Sequence, residues 1–151
     1  AVASLQKALE LNPVDLALHL NLSVLYYHTE QYAEALEYCH AILEQDGSVI
    51  QAQRMIGDIA ATTGKHELAV DAYRSVLQLH SEDLLSILGI AEAYNALERP
   101  DDAREHWQAW LDIVGDNPQY QAQAEAIARR LEGNSVSDWF YDQLKELRSY
   151  L

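Results

Sequence analysis

Apolar residues recur along this chain at three- and four-residue spacing, separated by short polar breaks. Leu18, Leu22, Leu25 and Tyr26 share one helical face, as do Ala69, Ala72, Tyr73, Val76 and Leu77. That period predicts amphipathic α-helices of roughly 12 to 15 residues. Asn12-Pro13, Asp46-Gly47, Gly64, Arg99-Pro100 and Asn117-Pro118 interrupt them. Asp15, Ser48 and Asn117 stand where helix N-caps are expected, and Pro118 suits a first helical position. The pattern predicts nine helices: one near Ala1–Leu11, then four antiparallel pairs.

The pairs repeat. With the units set at 16–49, 50–83, 84–117 and 118–151, the period is 34 residues throughout, and residues 1–15 align with the end of that unit. Leu22, Ile56, Ile90 and Ala124 share one column, followed by small residues at Ser23, Gly57 and Ala91 and then by Tyr26, Ala60 and Tyr94. The second half of the unit opens on Ala1, Ala35, Ala69, Ala103 and Ser137; four residues later stand Leu5, Cys39, Tyr73, Trp107 and Tyr141. Small side chains in fixed columns are what close helix crossings require. A single pair is too small to bury its own apolar face, so neighbouring pairs must stack into one elongated core.

This pattern resembles the tetratricopeptide repeat family, in which Leu-Gly, Tyr, Ala and aromatic positions recur within 34 residues. The resemblance spans the chain, strongest over 16–117 and weakest over 118–151, where Glu125 and Ala128 replace a small residue and an aromatic. It implies an all-α, right-handed superhelical solenoid of antiparallel helix pairs. Residues 1–15 would be the second half of a truncated repeat, and 118–151 a degenerate repeat or capping pair. Because the chain opens mid-unit and without Met, it is expected to be a piece of a longer repeat protein. Trp110 takes a column usually small in the family, and Ala122, Ala124, Ala126 and Ala128 follow it. Trp110 is therefore expected to pack on that alanine surface, large against small.

Composition narrows the function. The 151 residues carry 10 Lys and Arg against 24 Asp and Glu, a net charge of −14. Like-charge repulsion argues against nucleic acid and anionic membranes as partners. No apolar run approaches the roughly 18 to 20 residues of a membrane span, and no basic segment with an apolar stretch opens the chain. One cysteine, Cys39, excludes an internal disulfide framework and leans towards a reducing, cytoplasmic setting. It occupies an interior column and reads as a small buried hydrophobe. The six histidines show no zinc-ligand spacing, and Asp101-Asp102 and Glu82-Asp83 suit helix N-termini better than a calcium loop. With no phosphate loop and no nucleophile elbow, the chain reads as non-catalytic, needing no cofactor or metal.

The resemblance also implies that the first helices of successive units line a concave groove for a partner segment. Its candidate residues are Ala17, Leu20, Val24, Tyr27 and His28 on the first such helix; Arg54, Met55 and Asp58, with Gln51 and Thr62, on the second; and Leu85, Leu88, Glu92 and Asn95 on the third. Two apolar patches would flank a polar strip at Arg54 and Asp58. Chaperone-binding members of the family clamp a C-terminal carboxylate with Lys, Asn and Arg, but here those slots hold Leu20, Val24, Met55, Leu85 and Gly89. The expected partner is thus a protein or peptide segment that is apolar or basic rather than acidic. A recruiting or regulatory domain of a multidomain enzyme such as a glycosyltransferase is the alternative, and a spacer within a longer solenoid is the third. Self-association is expected through the exposed ends, where Trp139, Phe140, Leu144 and Leu147 mark an apolar stripe.

Overall fold

The computed structural model describes residues 1–132. Among them run α1 (Val2–Leu11), α2 (Leu16–His28), α3 (Tyr32–Gln45), α4 (Ile50–Thr62), α5 (His66–Leu79), α6 (Leu84–Ala96) and α7 (Pro100–Val114). A 3-10 turn at Pro118–Tyr120 leads into α8, over residues 121–132. No strand occurs among the described residues, and no helix there is long and apolar enough to cross a membrane. Each helix packs on the next in sequence, and α4 additionally touches α2 and α6. This is an all-α solenoid of stacked helix pairs. The second half of the last unit, with Trp139, Phe140, Leu144 and Leu147, lies outside the described residues.

The repeat register is written into the helix ends. The N-caps of α2, α4, α6 and the 3-10 turn are Asp15, Val49, Asp83 and Asn117, one per unit. Asp15 accepts from the N–H groups of Ala17 and Leu18, Asp83 from that of Ser86, and Asn117 from that of Gln119. Each satisfies amides that a helix start leaves without partners. Ser48 is not a cap, contrary to the sequence expectation. The cap column falls one residue later, on Val49, and Ser48 instead donates through N–H and Oγ to Asp46 Oδ1.

The turns inside the pairs are equally periodic. Glu30, Gly64 and Glu98 have φ of 61°, 79° and 58°, and the following N–H groups reach back to Tyr26, Ala60 and Tyr94 carbonyls. That is a Schellman closure, repeated three times. Only Gly64 has the residue type that favours it; Glu30 and Glu98 hold the left-handed conformation against their side chains.

The core is continuous on one side and divided on the other. A single cluster runs from Ala60 through Tyr73, Ile90, Tyr94 and Trp107 to Trp110 and Ile127. Two smaller clusters serve α1 to α4, one around Leu22, Tyr26, Ala35 and Ile59, the other around Cys39, Ile42 and Ala52. Trp110 is buried at 1% exposure, as its column implied. Its surroundings correct the expectation, however. Tyr120 meets the indole edge-on at 5.9 Å, and Ala124, Ile127 and Leu131 belong to the same cluster, whereas Ala122 and Ala126 are exposed. The inward stripe of the last unit is thus Tyr120, Ala124, Ile127 and Leu131, at helical spacing.

Candidate functional site: the face lined by the first helices

The helices that open the units, α2, α4 and α6, lie side by side. Polar bonds link them. The Tyr27 hydroxyl on α2 lies 3.4 Å from that of Thr62 on α4. Arg54 on α4 grips Asp83 at the start of α6 in a two-point pair, Nη2 to Oδ1 at 2.5 Å and Nε to Oδ2 at 3.2 Å. Arg130 on α8 likewise pairs with both carboxylate oxygens of Glu92 on α6. A planar guanidinium matches a carboxylate at two points, which fixes angle as well as distance. Asp83 therefore caps its helix and anchors its neighbour with the same carboxylate. Burial would raise its pKa, but hydrogen bonds from Ser86 and Arg54 outweigh it and hold the carboxyl below the usual carboxylate value.

The most constrained element comes from behind. Tyr73, on α5, threads its ring between Gly57 on α4 and Gly89 on α6. A Cβ at either glycine would fall 2.7 Å or 2.6 Å from ring carbons, so no larger residue fits while the ring stays. The hydroxyl then donates to Asp58 Oδ1 at 2.5 Å. Burial raises the Asp58 carboxyl above its ordinary range, while the Tyr73 hydroxyl and the Arg54 charge pull it back. The Tyr73 phenol is pushed far up, by burial first and by Asp58 second, and stays protonated. In the preceding unit the equivalent of Tyr73 is Cys39, buried, with its thiol pushed up to about 11 by burial against a lowering bond with Ser23.

Against this geometry the sequence-predicted groove residues divide. Arg54 and Asp58 spend their charged groups inside the fold, on Asp83 and Tyr73. Glu92 is exposed but paired with Arg130. Met55 packs between the two smaller clusters, Leu20 against the Cys39 cluster and Leu88 against the large one. Tyr27 packs beside Leu22 and Tyr26, and Val24 is half-buried. Leu85 is 62% exposed, and Ala17, His28, Gln51 and Asn95 are exposed as well. Sequence reasoning put Asp83 at a helix N-terminus and Tyr73 in an interior column, but missed their pairing with Arg54 and Asp58, and missed Arg130 altogether. The cap column shared with Asp15 and Asn117 was the signal that would have marked Asp83 as the cap. Among the described residues no group of three or more His, Cys, Asp or Glu comes together as a metal site.

Known proteins share this fold. Tetratricopeptide repeat models match residues 1–59 and 54–118. The chain belongs to the tetratricopeptide repeat family. It is 32% identical over 87 residues to human Superkiller complex protein 3, a stretch covering 56% of this chain but 6% of that protein. Among solved structures, it is similar to the Yersinia enterocolitica type III secretion chaperone SycD in complex with a peptide of the translocator YopD, with a TM-score of 0.76 at 15% identity over 82% of this chain and 94% of that one. MamA is similar too, with a TM-score of 0.72 at 14% identity, covering 94% and 89% of the two chains. At such identities the structures establish the fold alone. This tetratricopeptide repeat chain spans a small fraction of the length of the curated relative it matches.

Proposed function

We propose that this chain is a non-catalytic scaffold that binds a segment of a partner protein along the face of α2, α4 and α6. The observation that carries the reading is Leu85, an aliphatic side chain 62% exposed on a face whose charged groups Arg54, Asp58 and Glu92 are already paired within the fold. Leu85 and the partly covered Leu88 supply one apolar patch; Leu20, Val24 and Tyr27 supply the other. Each buried anchor of Leu or Phe size contributes about 1.5 to 3 kcal/mol, less the ordering of the segment, so an isolated peptide binds in the micromolar to millimolar range. The net charge of −14 favours a basic flank and speeds encounter at low salt. The peptide bound by SycD lends this reading support by analogy of fold. Arg54 and Asp58 act here by setting the spacing of the first helices, not by contacting the ligand.

Selection from a displayed peptide library tests it, followed by anisotropy titration of the enriched peptides. They should be apolar with basic neighbours, and Val24→Glu with Leu85→Glu should weaken them by at least about tenfold. Glu37→Gln on α3 should leave them unchanged. Enriched peptides that bind both variants alike would remove the groove as the binding surface. Failure to enrich any peptide would favour the spacer reading. The 6% share of Superkiller complex protein 3 supports a module within a longer chain, and a recruiting domain of an enzyme would use the same groove.

A further inference from the structure

The opposite face of α4 holds a second feature, and the repeat itself supplies its template. In the first unit Tyr26 and Tyr38 stack between the two helices of the pair, ring centroids 5.6 Å apart. In the third unit the same columns hold Tyr94 and His106, 5.4 Å apart. In the second unit both columns are alanine, Ala60 and Ala72. Where two rings are missing the surface opens into a cleft of about 480 Å³ between α3 and α5, floored by α4. One unit further on, the counterparts of the cleft residues line a hollow of about 220 Å³, with Tyr94 in its wall. Leu36, Leu43, Ile56 and Leu68 make the cleft apolar, and Leu68 is 57% exposed.

The filled units also show how a ring is held there. In the third, Arg74 donates to the Tyr94 hydroxyl and the Arg99 guanidinium lies over the ring at 4.7 Å. In the first, Gln6 donates to the Tyr26 hydroxyl at 2.9 Å. The residue at the Gln6 and Arg74 column in the open unit is His40, and that at the Arg99 column is Lys65; both line the cleft. A ring socket, a hydroxyl partner and a cation for the ring face are thus all present, without the ring.

We propose that this cleft docks a tyrosine side chain of a partner polypeptide, with His40 bonding the hydroxyl and Lys65 covering the ring. Charge complementarity sets the flanks. Asp71 lines the cleft, and Glu37, Glu44 and Glu67 are exposed on the helices beside it, so the tyrosine sits among Lys or Arg. The surface is independent of the concave face and stands whether or not that face binds a peptide.

The test uses capped Gly-Lys-Tyr-Lys-Gly, followed by methyl chemical shifts. Binding of about millimolar strength is expected for a lone anchor, with shifts at Leu36, Leu43, Ile56 and Leu68. The same peptide with Phe should bind more weakly, and with Ala not at all. Ala60→Tyr refills the socket and should reduce affinity at least about tenfold while holding or raising the melting temperature. Lys65→Ala and His40→Ala, at exposed positions, carry the test if Ala60→Tyr does not fold. Lys65→Ala should weaken the peptide several-fold, and His40→Ala should abolish the preference for Tyr over Phe. Equal binding of the Tyr and Ala peptides, or undiminished binding by the variants, overturns the proposal. So do shifts confined to Leu85 and Leu88, and so does concentration-dependent perturbation of the cleft without peptide, which would make a second copy of the chain the occupant.

Discussion

The seam between α4 and α6 and the seam between α2 and α4 obey one period and are closed by opposite means. In the first of these, a large ring from the intervening helix, Tyr73, enters between two glycines, Gly57 and Gly89. In the second, the intervening helix sends only Cys39, opposite Ser23, and the volume comes from Met55, which packs on the Cys39 cluster. Total volume is kept while its source moves from the second helices to the first, as packed interiors tolerate. The consequence is not symmetric. Tyr73 belongs to the core that continues to Trp107, Trp110 and Ile127, whereas Cys39 belongs to a small cluster separate from that of Leu22 and Tyr26. In a linear array, stability follows the interfaces between neighbours, so α1 to α3 should open before α5 to α7.

The largest expected effect lies in the continuous core. Trp110→Ala should cost about 3 to 5 kcal/mol, as buried aromatic truncations do, measured by urea unfolding. A change within about 0.5 kcal/mol, typical of surface sites, would contradict the burial of its indole. The seam between α4 and α6 should respond next. Gly89→Ala forces a Cβ to 2.6 Å from the Tyr73 ring and should cost about 1 to 3 kcal/mol by overpacking, a loss that Tyr73→Leu partly rescues in the double variant. Additive effects of the two changes would mean that the ring and the glycine do not meet.

Acid stability sharpens the electrostatic half of the comparison, since of the two seams only that between α4 and α6 carries a charged clasp. Asp83 has a lowered pKa in the fold, so the native state binds its proton less readily than the unfolded chain does. Its contribution is complete above the ordinary value of 3.8 and lost as the pH falls below it. Asp58, with a raised pKa, acts with the opposite sign. Asp83→Asn should therefore lower stability at pH 7 by about 1 to 2 kcal/mol, as lost caps and charge-assisted bonds do, and flatten the decline on acidification. An unchanged acid profile would show that the Arg54 clasp adds nothing. The smallest effect is in the turns: Glu30→Gly and Glu98→Gly should each stabilise by up to about 1 kcal/mol, by relieving a positive φ. A loss of stability in either would mean that its side chain holds the turn.

Much of this was legible in the sequence because a repeat multiplies weak signals. The 34-residue register, the interior place of Cys39, the small columns at Gly57 and Ala91 and the burial of Trp110 all follow from aligned columns. What was illegible depended on pairs of columns meeting in space. Gly89 stood out as a slot lacking a binding residue, yet its reason is the ring of Tyr73 arriving from another helix. Arg54 and Asp58 looked free for a ligand because their partners, Asp83 and Tyr73, lie 29 and 15 residues away. Ala60 and Ala72 were ordinary small residues until Tyr26 with Tyr38, and Tyr94 with His106, showed what those columns hold elsewhere. Glu30 and Glu98 hide their turns because backbone closure, not residue type, imposes them.

Native-state hydrogen exchange, resolved by helix, tests the comparison most directly. The helices α3 and α5 are equivalent second helices with neighbours on both sides, so end fraying does not separate them. Amides of α5 should exchange only through the largest opening, together with those of α6 and α7. Those of α3 should exchange through a smaller one, at least about tenfold faster for a difference of 1.4 kcal/mol. Equal protection of α3 and α5, or slower exchange in α3, would contradict the division of the core on which the account rests.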